Sequence, residues 1–252
     1  MGNNHPEEAV SYPMSLVLKA GTDWQTVLER AASAAPEAIS VDGLKNLIDG
    51  EWVSGGNIKP HVNPVDGMPI LGPTMLDVDS VMHAVQAAKT QDMAWAKVSI
   101  TERKQKVQHA VDLMREHRDT LALLLVWEIG KPWKLACADV DRALEGVEWY
   151  IGEIDRQMEG RAPLGGPVSN IASWNYPLSV LVHAELVQML AGNAVIAKTP
   201  TQGGFHTLTL AHALMHRAGL PVTLVSGSGG ELAPALVSSD QLGALALSAE
   251  ET

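Results

Sequence analysis

The chain has a single cysteine in 252 residues. One thiol excludes an intrachain disulfide framework and any multi-cysteine metal site. Basic residues are also short: 18 Lys and Arg stand against 29 Asp and Glu, for a net charge of -11. No basic stripe offsets that surplus, so no nucleic-acid partner is expected. Long apolar runs are missing too. The longest clean one, Leu121 to Trp127, falls far short of a bilayer span, and no membrane partner is expected. The start of the chain lacks a basic segment followed by an apolar one, as a secretory signal would have. Met1-Gly2 opens like a myristoylation site, but Pro6 stands where that motif needs Ser or Thr. These absences lead to the expectation of a cytoplasmic protein. No metal site is expected either. His212 and His216 share a helix face by spacing, but no third ligand is near them in sequence, so they read as the polar edge of an amphipathic helix.

What is present is ordinary for a soluble globular protein: 46% hydrophobic and 19% charged residues, in a chain long enough for a full core. The most informative stretch is 168–199. Val168 to Ser173 is a short apolar run, broken by Trp174-Asn175-Tyr176-Pro177. Pro177 suits a first helical turn, where its missing N–H costs nothing. Leu178 to Ala191 is apolar on nearly every face, Gly192-Asn193 stops it, and Ala194 to Thr199 begins a second strand. This is a strand–helix–strand unit, which within one sheet implies a parallel crossover. Expected strands at 168–173, 194–199, 222–227 and about 242–248 alternate with helices at 178–191, 204–218 and 231–238. That pattern predicts an α/β fold, a doubly wound parallel sheet of Rossmann-like type. Asn175 and Lys198 fall at strand carboxyl ends, where such sheets bind ligands.

Upstream, residues 1–40 read as an N-terminal extension with a short helix over Trp24 to Ala32. Leu44 to Val53 alternates around Asp49-Gly50 and predicts a small hairpin. A helical layer spans about 77–158, with Asp77 or Asp79 as one cap and Thr101 as another. Cys137 sits mid-helix without a neighbour that would lower its pKa, and reads as a packing cysteine rather than a nucleophile. Ser226-Gly227-Ser228-Gly229-Gly230-Glu231 is a glycine-rich loop opening a helix, whose amides could approach a pyrophosphate.

Trp174-Asn175-Tyr176-Pro177, Ala191-Gly192-Asn193 and Lys198 together resemble the W-N-[FY]-P, A-G-N and K series of the aldehyde dehydrogenase superfamily. The resemblance runs from about Asn46 to about Leu247. It takes in Asp49-Gly50-Glu51-Trp52, Asn63-Pro64-Val65-Asp66-Gly67 and Glu128-Ile129-Gly130-Lys131-Pro132. It implies an NAD(P)-binding domain over 41–252 and an aldehyde as substrate. Asn175 would be the oxyanion-hole donor, with Ser173, Trp174, Lys198, Thr201, Gly227 and Gly229 around the cofactor. Thr201 stands where NAD-preferring members often carry a glutamate, and Lys198 to Gly203 resembles the K-P-P-T-Q-G of NADP-using, non-phosphorylating members. NADP is therefore the expected cofactor, with NAD as the alternative. Ala184 departs from the family, many members of which have a lysine there. The family's nucleophilic cysteine and general-base glutamate have no counterpart in this sequence, so the chain alone is expected to be inactive. Met158 to Val168 leaves no room for the hairpin that reaches a neighbouring subunit, so the family's homo-oligomer is not expected. Two other readings stand beside this one: a dinucleotide-binding module without turnover, and an interaction protein using apolar surface left uncovered.

Overall fold

The protein is described by a computed structural model over residues 23–171 and 173–247. Helix α1 (Trp24–Ala34) starts at Asp23, whose carboxylate accepts the Thr26 N–H at 2.8 Å. Asp77 does the same for Ser80 at the head of α2 (Val78–Trp95), which settles the choice between Asp77 and Asp79. Helix α3 (Ile100–Glu116) is capped by Ser99 rather than Thr101. Ser99 has extended backbone and its Oγ accepts from the Glu102 N–H, whereas Thr101 is already inside the first turn. Helix α4 (Arg118–Ile129) ends at Gly130, whose φ of 68° is the left-handed stop that glycine adopts cheaply. Helix α5 (Trp133–Gln157) completes the helical layer. From Gly160 to Pro167 the chain forms no strand, so no hairpin interrupts the path to the sheet.

The sheet has six strands: β1 (Asn46–Ile48), β2 (Glu51–Val53), β3 (Val168–Ile171), β4 (Val195–Lys198), β5 (Val222–Val225) and β6 (Ala244–Leu247). Their order is β6-β3-β4-β5-β1-β2. The four C-terminal strands are parallel, with Ile171 opposite Lys198 and Lys198 opposite Val225. The expected hairpin forms, but as part of this sheet. It adds two antiparallel strands beyond β5, so the sheet is mixed.

Period-two alternation divides the strands between two cores. Val195, Ala197, Val222 and Leu224 face the larger core, which includes residues of α1, α3, α4, α5, α6 (His183–Leu190) and α7 (Phe205–Arg217). Ile196 and Val225 face a smaller one under α2 and α8 (Gly229–Leu236). Helices cover both faces, as a doubly wound sheet requires. The helix expected over 178–191 is divided. Pro177–Val182 is a π-helical turn, and regular α6 follows. Pro177 brings no N–H to this turn, and the Ser179 N–H is taken by Asp139 Oδ1 at 2.8 Å, so the chain accommodates one extra residue before settling.

The boundary expected at residue 40 needs correction. Val27 and Ala31, one turn apart on α1, are fully buried against α4 and α7, and Ala35, Ala38 and Ile39 continue the same core. Residues 23–39 therefore belong to the main body. The rest of the expected extension, 1–22, lies outside the described residues, as do 172 and 248–252.

Candidate functional site

Strand β4 ends at Lys198, which is only 5% exposed. Its ammonium donates to the Thr199 carbonyl at 2.8 Å, and no carboxylate pairs with it among the described residues. Burial, with a smaller contribution from the nearby Lys59 charge, lowers its pKa to about 8. Lys198 lines a cleft of about 250 Å³ with Ile171, Thr201, Gly229, Ala233 and Leu236. The cleft opens past the carboxyl ends of β3 and β4, the edge at which open α/β sheets take ligands.

The glycine-rich loop forms the far wall. A Cβ on Gly229 would have no neighbour closer than Lys198 Cε at 4.0 Å, so this residue keeps the wall thin. Gly227 is crowded for another reason. A Cβ there would lie 2.4 Å from Leu232 Cδ1 and 3.1 Å from the Leu76 carbonyl, which accounts for its glycine by packing alone. Asn46 holds the loop in place. Its Oδ1 accepts the Ser226 N–H at 2.7 Å, while Thr199 Oγ1 and Ser226 Oγ are joined at 2.9 Å.

The turn after β3 carries Asn175 and begins one strand away from Lys198, since Ile171 and Lys198 are paired. Ser173 Oγ donates to Asn175 Oδ1 at 2.7 Å, so the amide of Asn175 presents its NH₂ as the other hydrogen-bonding group. Lys131 fixes the turn from beneath. Its ammonium donates to the Asn175 carbonyl and to Asp139 Oδ2, both at 2.7 Å, and lies 3.9 Å from the Tyr176 ring centroid. The Asp139 side chain is fully buried. Trp174 is half-buried in the same turn, and its carbonyl lies 3.8 Å from the place a Gly204 Cβ would take.

A third anchor is Glu128, fully buried at the end of α4. Its carboxylate accepts the backbone N–H groups of His206 and Thr207 at 2.7 and 3.0 Å, and the Thr207 hydroxyl and His206 Nδ1 at 2.9 Å each. Burial pushes its pKa up, but the His206 contacts and the Thr207 amide outweigh burial and hold it below the usual range. A carboxylate at this helix N-terminus also meets the positive end of the α7 dipole.

The structure thus gathers Lys198, Thr201 and Gly229 into one cleft, and places Ser173, Trp174 and Asn175 on the neighbouring turn. Gly227 stands behind the cleft wall. Cys137 is half-buried in α5, where burial raises its thiol pKa despite the Arg118 charge, so it is poorly ionised. His212 is not a polar edge: it is fully buried, with Glu185 Oε1 at 3.3 Å and the Leu208 carbonyl at 2.8 Å. No group of three or more His, Cys, Asp or Glu side chains among the described residues is placed to hold a metal ion. Nor is any described helix long and apolar enough to cross a membrane. Sequence reasoning missed Asn46, Lys59 and Asp139. Glu128 and Lys131 belong to Glu128-Ile129-Gly130-Lys131-Pro132, one of the segments that carry the family resemblance, but nothing in the sequence assigns them a place at the site.

A largely parallel sheet with a basic cleft past its carboxyl edge defines an α/β protein of the ligand-binding, doubly wound class. The family model described as "Aldehyde dehydrogenase family" matches residues 52–251, and the chain belongs to that family. It is 29% identical over 229 residues to the NADP-dependent glyceraldehyde-3-phosphate dehydrogenase of Pisum sativum, covering 80% of this chain and 46% of the relative. It is also 29% identical over 212 residues to an NADP-type succinate-semialdehyde dehydrogenase of Escherichia coli, covering 77% and 44%. Among solved structures it resembles the NADP complex of an NADP-dependent glyceraldehyde-3-phosphate dehydrogenase from Bacillus halodurans. The TM-score is 0.72 at 27% identity, over 81% of this chain and 47% of that one. An aldehyde dehydrogenase from Bacillus cereus in complex with NAD+ gives 0.75 at 26%, over 81% and 46%. The chain spans somewhat under half the length of these relatives.

Proposed function

We propose that this chain holds the dinucleotide of an NAD(P)-dependent aldehyde oxidation, with NADP preferred, and supplies Asn175 as donor to the oxygen anion formed from the aldehyde. One observation carries the reading. Lys198, with Thr201 and Gly229, lines a cleft past the carboxyl ends of β3 and β4 that has no acidic residue in its lining, beside the turn that carries Asn175. The residues present fit a phosphorylated ribose. A buried ammonium supplies charge, a threonine hydroxyl supplies a donor without the repulsion a carboxylate would bring, and a bare glycine lets the ligand approach the helix. When bound, the nicotinamide would accept hydride from the carbon being oxidised.

The chain's own residues do the rest. Lys131 and Asp139 orient the Asn175 turn, Ser173 fixes the amide with its NH₂ outward, and that NH₂ stabilises negative charge on the substrate oxygen. Removing such a donor costs on the order of a hundredfold in rate. Ser173 and Trp174 border the cofactor from the β3 side, Lys198 and Thr201 from the β4 side, and Gly229 from α8. Gly227 serves the cleft indirectly, by letting the loop close over Leu232. Cys137 has no part in the reaction, and these 252 residues alone bind the dinucleotide without turning over an aldehyde.

The test is a titration of the purified chain with NADP and with NAD, following tryptophan fluorescence and melting temperature together. Saturable binding, tighter for NADP, is expected, with no aldehyde-dependent NADPH formation. The absence of any shift with either dinucleotide would refute the reading. Turnover lost on Cys137→Ala would overturn the assignment of that thiol.

A further inference from the structure

We infer that Lys59 is the second cation of the cleft, seated to receive the 2′-phosphate of the dinucleotide's adenosine ribose and so to set the preference for a 2′-phosphorylated ligand. This rests on the function proposed above and adds a residue to it from a distant part of the chain.

Lys59 lies 142 positions from Thr201 in sequence, yet its ammonium donates to the Thr201 carbonyl at 2.6 Å and lies 6.0 Å from the centre of the Phe205 ring. Its backbone is built into the fold at both ends. The Lys59 N–H donates to the Pro73 carbonyl at 2.9 Å. The Lys59 carbonyl rests against Gly72 so closely that a Cβ there would lie 1.9 Å from it. The side chain therefore leaves from a fixed point towards the segment that follows β4.

The charges explain what the arrangement is for. In a chain of net charge -11, three of the described lysines pair closely with an acid: Lys104 with Asp155, Lys106 with Glu102 and Lys131 with Asp139. Lys59 and Lys198 have no such partner among the described residues. They are near enough for the Lys59 charge to act on Lys198, and desolvation lowers the pKa of Lys59 as well. Two like charges kept together without a counter-ion repel, and an arriving anion relieves the repulsion. Each ammonium has three N–H donors, and one on each is spent on a backbone carbonyl. The others, with the Thr201 hydroxyl, suit a phosphate monoester. A carboxylate at position 201 would instead sit within reach of the Lys59 ammonium and neutralise it. The threonine leaves that charge for the ligand.

The experiment compares adenosine 2′,5′-bisphosphate, 5′-AMP and inorganic phosphate on the full 252-residue chain by calorimetry, in the native protein and in Lys59→Gln, Lys59→Arg and Thr201→Glu. The native chain is expected to favour the bisphosphate over AMP. Lys59→Gln should shrink that ratio by roughly tenfold or more, the loss expected for one charge-assisted hydrogen bond. Lys59→Arg should restore most of it, and Thr201→Glu should abolish it even if Lys59→Gln fails to fold. A ratio unchanged within about twofold in both Lys59→Gln and Thr201→Glu, in a native chain that does discriminate, would overturn the role of Lys59 while leaving the dinucleotide site intact. Inorganic phosphate binding as tightly as the bisphosphate would overturn the ribose assignment. A native chain that binds neither nucleotide would refute the parent reading and this one with it.

Discussion

Replacing Lys131 with methionine isolates the device that holds the Asn175 turn. The ammonium bridges the fully buried Asp139 carboxylate and the Asn175 carbonyl, both at 2.7 Å. In Lys131→Met the carboxylate keeps one partner, the Ser179 N–H on Oδ1 at 2.8 Å, and loses its counter-ion. Breaking one side of a buried pair costs about 3–5 kcal/mol, because the remaining charge is neither solvated nor neutralised. The lost bond to the turn and the lost contact with the Tyr176 ring each add about 1 kcal/mol. A loss of about 5–7 kcal/mol in all is then a large part of the roughly 5–15 kcal/mol that domains possess. Lys131→Met/Asp139→Asn should recover to within about 2 kcal/mol of the native chain, since the amide still accepts from Ser179 and no charge is stranded. Urea unfolding followed by fluorescence and circular dichroism, with the m-value checked for constancy, measures all three proteins. A single substitution costing under about 1 kcal/mol, or a double variant no more stable than Lys131→Met, would refute the argument.

Three further outcomes follow from the cleft. Lys198, with its pKa lowered to about 8, is charged below that pH, so NADP affinity should fall between pH 7 and 9 and bind with proton uptake at the upper end, as calorimetry in two buffers will show. Its folded pKa lies below the ordinary 10.5, so the unfolded chain holds the extra proton between these values. The Lys198 contribution to stability therefore rises with pH from about 8 to 10.5, a slope that should vanish in Lys198→Met. The two glycines should separate cleanly in thermal unfolding. Gly227→Ala forces a methyl against buried Leu232 and should cost about 1–3 kcal/mol. Gly229→Ala meets nothing at close range and should be neutral or slightly stabilising, yet weaken dinucleotide binding.

The sheet was legible because its strands announce themselves locally, as short apolar runs bounded by breakers such as Gly192-Asn193 and Gly219-Leu220-Pro221. The turn at Trp174 to Pro177 and the lysine that ends β4 were legible for the same reason. What escaped depends on distance along the chain. Asp139 reaches Ser179 across 40 residues, Glu128 reaches His206 across 78, and no periodicity records such meetings. His212 looked like a surface edge because its partner, Glu185, comes from the preceding helix. The π turn escaped because an apolar stretch reads alike with or without one extra residue. Helix α1 reads from sequence as part of an extension because polar and proline-bearing segments flank it, whereas its small apolar residues Val27 and Ala31 fit fully under the layer.

The segment from the end of β4 into the first turn of α7 is tied at three points: Thr199 to Ser226 at its start, Thr201 to Lys59 in its middle, and His206, in that first turn, to Glu128. A loop held this way surrenders its conformational freedom when the protein folds. Less then remains to be ordered when a ligand arrives, so more of the free energy of that encounter goes into affinity rather than into shaping the wall.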